Sequence, residues 1–137
     1  MRNLILLLIS ALAHAQSDVP EKYWIDDSNF EDVVGNNNAF GDDNNDTIVV
    51  EFWAKFNDVN SFEDWNKLKG ITHYYKCDIS TSPEVKREYR IRMAPTILIF
   101  KDGILEESFK AGLDLECPVN LEELQKTIDE IKHSSQF

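Results

Sequence analysis

Few side chains in this chain could do covalent or metal chemistry. They are two cysteines, Cys77 and Cys117, with His73 near the first, and Glu51, a carboxylate set in an otherwise apolar run. A thiol that attacks a disulfide must be accessible and largely ionised, and a zinc site needs Cys or His ligands at close spacing. Cys77, Cys117 and His73 do not have that spacing, so no metal site is expected. No phosphate-binding loop, Ser/His/Asp array or paired-carboxylate motif is present, and nothing calls for a small-molecule cofactor. The chain has 25 Asp and Glu against 14 Lys and Arg, a formal net charge of −11, and a pI near 4.6. That balance argues against nucleic acid and anionic membrane surfaces as partners. The acidic residues are spread along the chain, which reads as a solubilising surface. The sharper alternative, calcium buffering by diffuse carboxylates, has no Asp-x-Asp-x-Asp-Gly loop behind it.

The elements that must position these residues begin after a leader. Residues 1–15 hold Arg2, an apolar run from Leu4 to Ala13 and an Ala13-x-Ala15 cleavage pattern. This reads as a secretory signal peptide, with a retained apolar anchor as the alternative. The run is about half of the roughly twenty residues that span a bilayer. Membrane association is therefore expected only if the leader is kept. Asn45-Asp46-Thr47 is an N-glycosylation sequon with Asn45 as acceptor, in a loop of turn-forming residues between Gly35 and Asp46.

A linker over 16–22 leads to one domain over 23–133, followed by a tail at 134–137. Tyr23-Trp24-Ile25 is a short strand candidate. Phe30, Val33 and Val34 form a helix capped from Asp26 to Asn29 and stopped at Gly35. Thr47 to Trp53 is apolar except for Glu51, the pattern of a central strand covered on both faces. Phe62, Trp65 and Leu68 predict a short amphipathic helix capped by Asn60 or Ser61 and ended by Gly70. Ile71 to Ile79 predicts a strand with His73, Tyr75 and Cys77 on one side. Ser82-Pro83 opens a helix to about Tyr89. Thr96 to Phe100, Lys101-Asp102-Gly103 and Ile104 to Ala111 form a hairpin. Asn120 to Glu123 resembles a capping box, and Leu121, Leu124, Ile128 and Ile131 trace the apolar face of a closing helix.

The order β-α-β-α-β-α-β-β-α, with a parallel half followed by an antiparallel hairpin, resembles the thioredoxin fold. Val49-Val50-Glu51-Phe52-Trp53-Ala54 is similar to the strand before that family's active site, and Glu51 gives it a protein disulfide isomerase flavour. Tyr89 to Thr96 resembles the segment ending in a cis-proline, here Pro95. Phe100-Lys101-Asp102-Gly103 and Gly112 match the hairpin turn and the glycine after the last strand. The resemblance runs from about Tyr23 to Ile131 and implies an α/β thioredoxin-like fold with a mixed central sheet flanked by helices.

It also implies a departure. The family places Cys-x-x-Cys directly after this lead-in, at a helix N-terminus that lowers the pKa of the attacking thiol. Here the residues are Asn57, Asp58, Val59 and Asn60. The interval to Cys77-Asp78 is shorter than in an active thioredoxin by roughly two helical turns. No catalytic residue is expected. Glu51, if buried, stays protonated or finds a partner such as Lys55 or Lys76. In this fold Cys77 and Cys117 are expected near opposite edges of the sheet, too far apart for a disulfide. Cys77 reads as a small core residue and Cys117 as the candidate intermolecular thiol or single-thiol nucleophile. The cis-proline edge implies a peptide- or partner-binding groove formed by Met93, Ala94, Pro95 and Thr96, with Trp53 and Phe56 as apolar walls. The bland alternative is that Pro95 shapes a turn and Trp53 packs in the core. The expected function is a non-catalytic protein-interaction module in the secretory pathway, in the endoplasmic reticulum lumen or outside the cell, acting as a subunit or chaperone-like adaptor. An accessory subunit of a mitochondrial or other organellar membrane complex is the alternative.

Overall fold

The structure, a computed structural model, describes residues 19–35 and 46–134. The leader over 1–15, the sequon residue Asn45, most of the loop after Gly35 and residues 135–137 lie outside the described residues. A 3-10 turn at Glu21–Tyr23 leads into β1 (Trp24–Ile25), followed by α1 (Phe30–Val34) and β2 (Thr47–Trp53). After β3 (His73–Asp78) come α2 (Pro83–Glu88), the hairpin β4 (Thr96–Lys101) and β5 (Ile104–Lys110), and α3 (Leu121–Ser134). The strands form one mixed sheet in the order β1-β3-β2-β4-β5. β1, β3 and β2 run parallel, and β4 pairs antiparallel with both β2 and β5.

Strand alternation divides the core into two halves. Ile48, Val50 and Phe52 of β2 join Leu98 and Phe100 of β4 in a cluster that also takes in Phe30 and Val34 of α1, Val85 of α2 and Cys77 of β3. On the other side Val49, Tyr74, Ile97 and Ile99 pack with Phe62, Val119, Leu124 and Ile128. Every residue of β2 and β4 is buried. This double coverage is why both strands read as nearly continuous apolar runs. The hairpin turn places Asp102 at φ 51° and Gly103 at φ 82°, the left-handed pair that a tight hairpin needs. β5 closes the sheet with a register shift opposite Ile99/Phe100, and its Ser108 amide donates to the Glu107 carboxylate at 3.1 Å. A bulge and a side chain folded onto the backbone both discourage further strand pairing.

Three expectations change. The segment between β2 and β3 is not an α-helix but two 3-10 turns, Lys55–Asn60 and Glu63–Lys67, each with a non-helical residue, Asn57 and Asp64. Phe62, Trp65 and Leu68 recur at intervals of three, which is the 3-10 period rather than the α period of 3.6. Val19 is no linker residue: it is buried, and its carbonyl accepts the Trp24 indole N–H at 3.2 Å. In β3 the expected alternation holds: Tyr75 and Cys77 pack on one face with His73 beside Tyr75, while Tyr74 and Lys76 are buried on the other. The two free cysteines are separated by the sheet itself. Cys77 packs on the α1/α2 face and Cys117 against the α3 face.

The closing helix starts largely as expected. The Glu123 amide donates to Asn120 Oδ1 at 2.8 Å. The return contact runs from the Asn120 side chain to the Glu123 carboxylate at 3.5 Å rather than to the backbone. The helix extends through Ser134, one residue past the expected end of the domain. Among the described residues no helix is long and apolar enough to cross a membrane.

Candidate functional site

β2 leaves the sheet at Trp53, and the first 3-10 turn carries Phe56 to Asn60 across the ends of β2 and β4. Asn57 is 7% exposed. Its side-chain Nδ2 donates to the Ala94 carbonyl at 2.9 Å and to the Leu115 carbonyl at 2.8 Å. Its Oδ1 accepts from Asn60 Nδ2 at 2.8 Å. One amide therefore meets two acceptors and one donor, which fixes its orientation and leaves no polar atom idle. The Asn57 clamp ties three segments together: the turn after β2, the loop before β4 and the loop after β5.

The sequence-predicted groove residues take different positions around this clamp. The Ala94–Pro95 peptide bond is cis, and Ala94, Pro95 and Thr96 are buried while Met93 is partly exposed. The Thr96 hydroxyl donates to the Met93 carbonyl at 2.7 Å, and the Ala111 amide donates to the Pro95 carbonyl at 3.2 Å. Trp53 is buried, edge-on to Trp24 with ring centroids 4.9 Å apart, and its indole N–H donates to Asp58 Oδ1 at 2.6 Å. Phe56 is 75% exposed, and so are its neighbour Val59 at 81% and Leu113, in the loop after β5, at 91%. Exposed apolar side chains thus lie on two of the three segments that the clamp ties together, Phe56 among them and Trp53 not.

Beneath the same connection lies a buried charge cluster. Glu51 is fully buried and Lys76, its register neighbour on β3, nearly so. Lys76 Nζ lies 3.8 Å from Glu51 Oε2 and 5.9 Å from the centre of the Trp24 ring. The Glu51 carboxylate also accepts the Phe62 amide at 3.3 Å and the Tyr74 hydroxyl. Burial raises the pKa of Glu51, opposed by Lys76, the Tyr74 hydroxyl and the Phe62 amide. Burial likewise holds the Tyr74 hydroxyl well above the ordinary tyrosine range, with Glu51 adding to the effect, so Tyr74 stays a donor. Of the two expected partners for Glu51, Lys76 is the one used, while Lys55 is exposed. A cavity of about 310 Å³ adjoins the cluster, lined by Lys76, Asp58, Ser61, Phe62, Glu63 and Trp65 among others.

Burial acts on both cysteine thiols in the same direction. Burial pushes the Cys77 thiol up to about 11. Cys117 is half-buried and donates to the Val119 carbonyl at 3.3 Å, and burial raises its pKa too. An attacking thiol needs the reverse, an accessible sulfur with a lowered pKa. Among the described residues no group of three His, Cys, Asp or Glu could hold a metal ion.

Sequence reasoning found Glu51 and Lys76, because a buried charge demands a partner. It missed the work of Asn57, whose only mark in the sequence is that it stands directly after Trp53-Ala54-Lys55-Phe56.

Comparison with known proteins agrees with this architecture. The thioredoxin family model matches residues 22–130. Thioredoxin-2 of Pyricularia oryzae is 42% identical over 61 residues, covering 41% of this chain and 36% of that protein. The chain thus matches about a third of that relative's length. A thioredoxin of Rickettsia felis is 33% identical over 72 residues, covering 48% of this chain and 68% of that one. Among solved structures, a mutant thioredoxin from Halobacterium salinarum superposes with a TM-score of 0.59 at 17% identity, covering 78% of this chain and 87% of that one. Human ERp44 superposes at 0.57 and 16% identity, covering 85% of this chain and 32% of that one. The family match covers most of the chain, and the sheet order and connections are those of the same fold: this chain belongs to the thioredoxin family.

Proposed function

We propose that the protein is a non-catalytic thioredoxin-fold module of the secretory pathway that binds protein, as a subunit or chaperone-like adaptor. The observation that carries this reading is the Asn57 clamp. At the end of β2, where disulfide chemistry would need a thiol, a buried carboxamide instead holds two loop carbonyls at 2.8 and 2.9 Å. Exposed Phe56, Val59 and Leu113 around it supply apolar area for a protein partner. The competing reading, suggested by the relatives' name, is a redox activity, and it would have to run on Cys117 with a partner's thiol resolving it. The half-burial of Cys117 and its raised pKa weigh against that.

The test is reduction of insulin disulfides in the presence of dithiothreitol. The expected rate is that of dithiothreitol alone, and a rate comparable with an active thioredoxin would overturn the proposal. Localisation is tested by mass spectrometry of the native N-terminus. A start at Gln16 supports a cleaved leader and the lumenal or secreted reading. Retention of residues 1–15 supports instead an anchored accessory subunit of an organellar membrane complex.

A further inference from the structure

The cavity of about 310 Å³ beside the buried charges carries donors on its inner wall and carboxylates on its solvent side. Lys76 lines it and is only 3% exposed. Its ammonium stands 3.8 Å from Glu51 Oε2, about 1 Å longer than a charge-assisted hydrogen bond. It makes no hydrogen bond among the described residues. A buried ammonium with three N–H donors is costly to leave unmet. The Ser61 hydroxyl and the Trp65 indole N–H, on the same wall, are likewise uncommitted among the described residues. The fold fixes both residues. Trp65 sits between the rings of Tyr23 and Tyr74, at centroid distances of 5.1 and 5.9 Å, and the Ser61 amide donates to the Asp58 carbonyl at 3.0 Å. Toward solvent, Asp58 is half-buried and Glu63 exposed. Asp58 gives one carboxylate oxygen to the Trp53 indole, which leaves the other available. Its charge is near enough to the cluster to add to the rise that burial gives the Glu51 pKa.

We propose that this cavity binds a small zwitterion of the free amino-acid class, its carboxylate inward on Lys76 and its ammonium outward on Asp58 and Glu63. The charges select that class by exclusion. A simple anion meets Lys76 but also two carboxylates, and a simple amine meets the carboxylates but brings a second cation toward Lys76. A zwitterion matches both ends, with Ser61 and Trp65 as further donors to its carboxylate. Phe62, buried in the wall, offers apolar contact to a short side chain. The volume holds roughly ten water-sized groups, which suits a free amino acid and is too small for a nucleotide. The inference goes beyond the protein-binding reading above and does not depend on it.

The test is amide NMR of the isotope-labelled full chain, titrated with L-valine and with L-alanine and L-leucine as a smaller and a larger zwitterion. The N-acetyl and amide forms of each lack the ammonium and the carboxylate in turn. At least one zwitterion should saturate at millimolar concentration and shift the Ser61 and Phe62 amides and the Trp65 indole N–H. Each charge-assisted bond lost should weaken binding by about tenfold or more, so both blocked forms should bind at least that much more weakly. Glu51→Gln/Lys76→Met removes the two buried charges together and leaves neither unpaired. It should abolish the preference for the zwitterion over its amide. Asp58→Asn/Glu63→Gln should abolish the preference over the N-acetyl form, and it keeps the test open should the buried pair variant fail to fold. Unchanged preferences in a folded variant, equal affinity for blocked and unblocked forms, or no saturable shift with any of the three zwitterions overturns the inference. Failure of the chain to bind any native protein partner would instead count against the protein-binding reading and leave this result standing.

Discussion

Replacing Lys76 with methionine asks whether the buried charges of β2 and β3 are held by mutual compensation. Glu51 is fully buried with Lys76 Nζ at 3.8 Å, and Lys76 is the largest influence opposing the burial that raises the Glu51 pKa. In Lys76→Met the carboxylate keeps only the Tyr74 hydroxyl and the Phe62 amide. Breaking a buried pair from one side costs about 3–5 kcal/mol. The loss must vary with pH. Without the ammonium, the folded-state pKa of Glu51 moves further above its unfolded value. The stability linked to Glu51 is then fully present below the unfolded pKa and is lost as pH rises through the folded one. The limiting slope for one proton is about 1.4 kcal/mol per pH unit. A glutamine at position 51 cannot titrate, yet its side-chain oxygen still accepts from Tyr74 and Phe62. Glu51→Gln/Lys76→Met should therefore recover most of the loss at neutral pH and remove its pH dependence. Urea unfolding between about pH 5 and pH 8 measures this, with tryptophan fluorescence as the probe, since Trp24 and Trp53 lie beside the cluster. A Lys76→Met deficit of equal size across that range, or a double variant no more stable than the single, would refute mutual compensation.

Three further outcomes are expected. Arg90 ends α2 at φ 54°, and Arg90→Gly, which relieves that left-handed conformation, should stabilise the fold by about 1 kcal/mol and raise Tm by roughly 4 °C in a thermal melt. Asp27 caps α2 from 57 and 58 residues away, accepting the Glu84 and Val85 amides at 3.0 and 2.9 Å. Asp27→Ala should cost about 1–2 kcal/mol in urea unfolding, whereas Ser82→Ala should cost much less, because the Ser82 side chain makes no cap bond. Both thiols should be protonated at neutral pH. Iodoacetamide should accordingly label Cys117 slowly, faster as pH rises, and Cys77 only on unfolding. Rapid labelling of Cys117 near pH 7, read by mass spectrometry, would contradict its burial.

What the sequence disclosed and what it hid follow from the range of the interactions. The strands and hairpin were legible because their causes are local: the apolar runs around Val49 and Leu98, and Asp102-Gly103 between them. Glu51 was legible as a problem, since a carboxylate in such a run needs a partner, and Lys76 was one of two lysines within reach. The connection after β2 was misread because three apolar residues at intervals of three, the 3-10 period, also fall within one broad face of a short α-helix. The non-helical backbone at Asn57 and Asp64 decided between them. The clamp itself could not be read. Its two acceptors are backbone carbonyls 37 and 58 residues away, and a carbonyl carries no trace of residue type. The cap from Asp27 was hidden in the same way, by distance and by a backbone partner.

The two faces of the sheet should tolerate change differently. Towards α1 and α2, the cluster around Phe30, Phe52 and Phe100 is held mainly by hydrocarbon and aromatic contact. Such a core accepts many exchanges provided total volume is kept. Towards α3 and the 3-10 turns, packing is interleaved with Glu51, Tyr74 and Lys76, each of which meets a specific partner. No substitute of the right size satisfies those atoms unless it has the right chemistry. A library that randomises buried positions would thus recover mixed aliphatic and aromatic residues on the first face and a narrow set of residue types on the second. Drift in this chain is then channelled through one side of the sheet, while the other side keeps the loops around Asn57 in place.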